Sequence, residues 1–287
     1  MAAIAYYILA YKEPERIVRL VNRLKTPSDN FYVHIGIDVG KQRVNEWAHM
    51  IEQKCPKANV KIASEFLTKR GSFDSVAAPL AAMKYFEELN YDYFVNLTGE
   101  CYPLKHPDKI KKEFEGQTSG FMEFFELPSP VWASGGMERL EKKFYFLSVG
   151  KHYKLLRVPR LRKALPCNLK PYGGSAAFCL HKQLVNYVLE FLETNPSVIK
   201  FFRHAGYADE VFFQTILMNS PFKSRIVNDD KRYIDWDQST GGHPKYLTTH
   251  DFLKMVESKK LFARKFSLAV DKNILDIIDQ MINKEDF

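Results

Sequence analysis

Along the first 125 residues, short apolar runs alternate with segments whose apolar residues recur at helical spacing. Ala3 to Ala10 is an unbroken apolar run of strand length. From Glu13 to Lys25 the residues Ile17, Leu20, Val21 and Leu24 fall on one face of a helix. Phe31 to Ile37 predicts a second strand, closed by the turn-like Asp38-Val39-Gly40-Lys41. A helix over Val44 to Gln53, a strand near Val60 to Ala63, a helix over Val76 to Leu89 and a strand from Tyr93 to Leu97 follow. Strands alternating with helices predict an α/β fold, a Rossmann-like, mostly parallel central sheet flanked by helices. Such sheets bind ligands beyond the carboxyl ends of their strands, where Asp38 and Thr98-Gly99-Glu100 lie.

The second half is less regular. Gly120 to Leu127 and Gly173 to Leu180 read as strands, Lys182 to Glu193 and Asp209 to Met218 as helices. Between them lie a loop of small residues and proline, Pro128 to Gly136, and a turn at Gly241-Gly242-His243-Pro244. No repeat, low-complexity tract or linker interrupts the chain, so residues 1–287 are expected to form one domain.

Apolar residues at 46% and charged residues at 26% are an ordinary globular composition. The formal charge of +8 favours anionic partners: nucleotide diphosphates, anionic lipid or nucleic acid. Nucleic acid is not expected, because the cations are scattered and no binding motif accompanies them. The densest basic run, residues 151–170, holds Lys151, Lys154, Arg157, Arg160, Arg162, Lys163 and Lys170 with no acid. Tyr153, Leu155, Leu156, Val158, Leu161 and Leu165 are interleaved with them, a composition that suits either a solvated basic loop or an anionic membrane surface. The apolar start ends after about ten residues at Lys12-Glu13-Pro14, too short to span a bilayer, and no basic segment precedes it. Cys55, Cys101, Cys167 and Cys179 have no CxxC spacing, so neither zinc nor a disulfide framework is indicated. A cytoplasmic protein, peripheral to the membrane if the basic run binds lipid, is the expectation.

Dinucleotide, Walker, HExxH and GxSxG motifs are all absent. No Asp-x-Asp ends a strand; Asp229-Asp230 and Asp235-Trp236-Asp237 are the nearest acidic groups, and clustered acids in loops are usually solvated. Eight collinear segments, however, carry a resemblance: AYYILAYKEPERIVRLVNRL, YVHIGID, FVNLTGECYPLK, YGGSAAFCL, ADEVFFQTIL, RYIDW, HPKYLT and LFARKF. With their spacing, the chain resembles the core-2/I-branching N-acetylglucosaminyltransferases and peptide xylosyltransferases across nearly its whole length.

The resemblance implies a GT-A type glycosyltransferase, with residues 1–125 as nucleotide-binding half and 126–287 as acceptor-binding and catalytic half. It implies inverting transfer from a UDP-sugar, GlcNAc first and xylose second, to a glycan or lipid-linked glycan, with no metal or other cofactor. A binding protein of the same fold without turnover is the alternative. Glu210 matches the family's general base, and Asp209 beside it would cap a helix or orient it; the pair alone reads equally as the acidic start of a helix. Lys265 matches the lysine that replaces a metal at the diphosphate, and Lys245 stands where some members carry arginine. Arg264 is the neighbouring alternative and His243 a further donor. Asp38 matches, more loosely, an acid that holds uracil or ribose. Glu123, Arg139, Lys142 and Trp236 match an acceptor region, and Gly174-Ser175 would let backbone amides approach the sugar.

Overall fold

The computed structural model describes residues 1–67, 71–149, 152–160, 164–236 and 243–284. The chain folds as two compact units: Met1–Glu65 with Asn90–Thr118 and Lys231–Phe287, and Phe66–Leu89 with Ser119–Asp230. Strands and helices are numbered along the whole chain.

In the first unit, β1 (Ile4–Ala10), β2 (Asn30–Ile35), β3 (Asn59–Ala63) and β4 (Tyr93–Thr98) form parallel strands in the order β4-β1-β2-β3. β1 is paired on both edges and buried on both faces, which is why its sequence is apolar without alternation. Tyr6 stacks on Phe31 at 5.1 Å and Tyr93 on Phe114 at 4.4 Å. Helix α1 (Pro14–Leu24) starts on a proline, whose missing N–H costs nothing there, and buries Ile17, Leu20, Val21 and Leu24. Each of those side chains contributes about 1.5–3 kcal/mol by leaving water.

Helices α2 (Lys41–Lys54), α4 (Pro107–Phe114), α9 (Phe252–Glu257) and α10 (Ile274–Lys284) complete this unit. Asp279 on α10 accepts from Arg19 at 2.6 Å and from the Tyr102 hydroxyl at 2.9 Å, fastening α10 to α1. A small second sheet orders β13 (Arg232–Ile234), β14 (Phe262–Arg264) and β5 (Cys101–Pro103). Its β14–β5 register sets Arg264 opposite Cys101, bringing the C-terminal Arg264-Lys265 beside the end of β4.

In the second unit, β6 (Gly120–Met122) pairs antiparallel with β11 (Phe178–His181) and parallel with β12 (Ile226–Val227). β7 (Phe125–Glu126) pairs with β10 (Tyr172–Gly173), and β8 (Lys142–Val149) with β9 (His152–Pro159). The helices are α3 (Asp74–Phe86), α5 (Glu138–Glu141), α6 (Lys182–Thr194), α7 (Pro196–Phe202) and α8 (Phe212–Met218).

The mixed α/β architecture expected from the sequence is present, and three elements differ in detail. The strand expected over Gly120 to Leu127 breaks at Glu123-Phe124, where the Asn228 side chain takes both backbone groups of Phe124, at 2.8 and 3.0 Å. The strand over Gly173 to Leu180 breaks at Ser175, whose carbonyl accepts from Gln214 at 2.7 Å. The helix over Asp209 to Met218 is instead a 3-10 turn, Ala208–Glu210, followed by α8, because Val211 departs from helical geometry at φ −134°. Residues 152–159 of the basic run are a strand of the β8–β9 hairpin rather than a loop. Its Arg160 points inward, donating to the Phe201 carbonyl at 2.8 Å and stacking on the Phe201 ring at 3.9 Å, so it is not a surface cation. Lys151, Leu161, Arg162, Lys163, Asp237 and the glycines of the Gly241-Gly242 turn lie outside the described residues. Among the described residues no helix is long and apolar enough to cross a membrane.

Candidate active site

Chemistry-bearing side chains gather in two places, one in each unit. In the first, Glu100 follows β4 with only 2% of its side chain exposed. Its carboxylate meets the Lys12 ammonium at 2.6 Å and accepts from the Tyr11 hydroxyl. Arg264 and Lys265 each approach it at 3.8 Å. Tyr246 lies among the cations: its hydroxyl accepts from Lys12 at 2.9 Å, and the Lys265 ammonium sits 4.4 Å above its ring. The backbone fixes the same arrangement, Phe266 N–H donating to the Glu100 carbonyl at 3.0 Å and Leu247 N–H to that of Lys265 at 2.8 Å.

Burial alone would raise the Glu100 carboxyl, but hydrogen bonds from Lys12 and Tyr11 and the charge of Lys265 hold it below the usual carboxylate range. Burial would lower the Lys12 ammonium, and its bonds to Glu100 and Tyr246 raise it instead. Burial and the neighbouring carboxylate push the Tyr11 phenol up, so it stays a donor. The cluster is therefore an ionised carboxylate beneath three charged side chains, in a setting where water screens little.

Lys245 takes a different partner. Its ammonium lies 2.7 Å from Asp251, a carboxylate 3% exposed that also closes a capping box with Thr248. His243, at the start of the same segment, is exposed. Asp38 sits exposed in a 3-10 turn, Ile37–Val39, just beyond β2. Beside it opens a cleft of about 300 Å³ lined by Ile37, Lys41, Val44, Asn45 and Ser64, at the small end of ligand-site sizes. Below the turn the buried His34 accepts from the Glu65 N–H at 3.2 Å, joining the ends of β2 and β3. Trp236 follows β13 and is 57% exposed.

In the second unit the 3-10 turn presents Glu210, whose side chain is 22% exposed. Arg139 donates to its Oε2 at 3.0 Å. The Arg139 guanidinium lies 3.8 Å from the Trp132 ring and 5.4 Å from that of Tyr207, so a carboxylate, a cation and two flat faces share one place. The glycines nearby are steric requirements. A Cβ on Gly173 would come within 2.5 Å of Trp132, and one on Gly174 would run into the carbonyl of Glu123. Gly174 N–H donates to the Glu210 carbonyl at 2.9 Å, so this close approach also sets the height of the turn.

Of the sequence-derived candidates in this unit, Glu210, Arg139, Gly174 and the Glu123 backbone are brought together. Ser175 makes local turn contacts, its hydroxyl accepting from Ala177 N–H at 3.2 Å. Lys142 is drawn to Glu138 at 3.0 Å. The expectation that Asp209 caps α8 is corrected: the N-cap position is Val211, without a side-chain cap, because residues 208–210 form their own turn. Lys12, Tyr11, Tyr246, Trp132 and Tyr207 were missed. Lys12 lies two residues beyond the first strand, within the AYYILAYKEPER segment, and no local pattern marked it further. Among the described residues no three His, Cys, Asp or Glu side chains gather as metal ligands.

A profile of the core-2/I-branching enzyme matches residues 4–258. The chain belongs to that family. It is similar to two β-glucuronosyltransferases of Arabidopsis thaliana: GlcAT14B, 26% identical over 92% of this chain and 62% of the plant protein, and GlcAT14A, 30% identical over 82% and 51%. It is also 24% identical to mouse xylosyltransferase 2 over 96% of this chain and 33% of that protein. The family member described here thus spans between a third and two thirds of the length of these relatives. The Glu100 cluster and the Glu210–Arg139 pair both lie within the matched residues, except for Arg264 and Lys265, which follow them.

Proposed function

We propose that the chain is an inverting GT-A type glycosyltransferase that works without a metal ion. The observation that carries this reading is the cationic cluster of the first unit. Lys12, Arg264 and Lys265 outnumber the single carboxylate they surround, and a departing diphosphate needs positive charge of this kind. The cleft beside Asp38 takes the nucleoside, and Lys245 and His243 lie along the segment leading to Tyr246.

Glu210 accepts the proton of the acceptor hydroxyl as that oxygen attacks the anomeric carbon. The bond from that carbon to the diphosphate oxygen breaks, the nucleotide leaves with the electron pair, and an α-linked donor gives a β-linked product. Trp132 and Tyr207 offer flat faces for the C–H side of an acceptor sugar, with Arg139 as donor to its hydroxyls. Glu123, Lys142 and Trp236 remain acceptor-site candidates, and the acceptor is a glycan or lipid-linked glycan. Because its relatives include glucuronosyltransferases and xylosyltransferases, UDP-glucuronate and UDP-xylose are donors to try beside UDP-GlcNAc.

The test is UDP release from those three donors in EDTA, comparing wild type with Glu210→Gln. Release with one donor, reduced at least about a hundredfold in the variant while UDP still binds, is expected. Release that EDTA abolishes and Mn²⁺ restores would overturn metal independence. UDP binding without release, with acceptor glycans present, would identify a binding protein instead.

A further inference from the structure

The β1–α1 loop is built to hold one side chain in place. Glu13, in the left-handed region at φ 50°, accepts from the Ser267 hydroxyl at 2.7 Å and from Leu268 N–H at 3.0 Å. The fully buried Arg16 lies 3.3 Å from Glu13 and donates to the Phe266 carbonyl. Loop and 264–268 segment are thus locked together on either side of Lys12 and Lys265. Between them lies Glu100, which no role in proton transfer requires.

The charges of this cluster do not close. Among the described residues it sets Lys12, Arg264 and Lys265 against one carboxylate, leaving two positive charges in excess. The Nε of Arg264 is buried without a hydrogen-bond partner among the described residues. Lys12 and Lys265 keep 36% and 18% of their side chains exposed, so neither side chain is sealed from solvent. The diphosphate of a sugar nucleotide carries two negative charges, which matches the excess.

We propose that Lys12 is a further cation of the diphosphate site and that Glu100 is the positioning residue that holds it beside Lys265. This rests on the reading of the first unit as donor site but not on turnover. Without a buried carboxylate, Lys12 and Lys265 would repel each other and Lys12 would swing to solvent. Glu100 spaces the two ammonium groups before the ligand arrives, so that the anion finds them already ordered.

The experiment measures binding of UDP and of uridine to wild type, Lys12→Met, Lys12→Arg, Glu100→Gln and the double variant, in EDTA. Lys12→Met, at a partly exposed position, is expected to weaken UDP about tenfold, the usual worth of one charge-assisted contact, and to leave uridine unchanged. Lys12→Arg restores part of the loss. In the Glu100→Gln background the same Lys12→Met change costs less than about threefold, because the ammonium is no longer held in place. Wild-type UDP affinity in Lys12→Met, or equal losses for UDP and uridine, would overturn the role of Lys12. A full tenfold effect in both backgrounds would overturn that of Glu100. Wild type that binds UDP in this pattern but releases none from any donor would refute the transferase reading and leave this one standing; failure to bind UDP would refute both.

Discussion

Acidification should loosen the first unit through one residue. His34 has no exposed surface, and burial drives its pKa down to about 4, only partly opposed by Asp38. Its Nε2 accepts a hydrogen bond, so the folded protein holds it neutral. In the unfolded chain the imidazole titrates near its ordinary 6.5. The folded value lies below the unfolded one, so the unfolded state takes up protons first as pH falls. The contribution is complete above the unfolded pKa, declines from about 6.5 to about 4, and is gone below that. The whole interval of about 2.5 units corresponds to roughly 3 kcal/mol. Between about pH 7.5 and about pH 5 the expected loss is about 2 kcal/mol. Urea unfolding at the two pH values, for wild type and for His34→Gln, reads it directly. The variant is less stable at the higher pH, since Gln refills neither the ring volume nor the acceptor in the same place, but it lacks the His34 share of the pH dependence. Equal pH dependence in both proteins would show that His34 does not carry this burial penalty.

Two further outcomes are expected. Gly174→Ala forces a methyl group against the Glu123 carbonyl, whose carbon lies 2.7 Å from the new Cβ, and should cost about 1–3 kcal/mol in urea unfolding. UDP release should fall with it, because the Gly174 N–H supports the Glu210 turn; wild-type stability and rate would show that the Glu123 carbonyl moves aside without cost. The β8–β9 hairpin exposes Leu156 and Val158 on either side of Arg157, and flotation with phosphatidylserine vesicles but not neutral ones is expected. Flotation unchanged in Leu156→Ser with Arg157→Gln and Val158→Ser would remove the hairpin as a membrane contact.

The parallel strands of the first unit were legible because each is a short apolar run between helical periods, and β1 and β4 lie within two residues of their expected bounds. The second unit was less legible because side chains remote in sequence end its elements: Asn228 breaks one strand 104 residues away, and Gln214 another at 39. The hairpin escaped because its apolar and basic residues do not alternate strictly. Glu210 and Lys265 could be singled out by their motifs alone. Lys12 could not, because its meaning depends on Tyr246, 234 residues further along, and on Glu100, neither of which local pattern connects to it. Arg139 was marked for the acceptor, but its bond to Glu210 spans 71 residues and appears only in the fold.

The first unit draws its residues from both ends of the chain, and this orders events during synthesis. Lys12 and Glu100 leave the ribosome before the 119–230 segment, whereas Tyr246 and Lys265 follow it. At about 5–20 residues per second, roughly seven to thirty seconds separate the emergence of residue 118 from that of Lys265. A nascent chain therefore carries Glu100 with only part of its counter-charge, and that buried carboxylate is costly until the last segment arrives. On the proposed reading, the diphosphate site can form only after the 119–230 segment and Lys265 have both emerged.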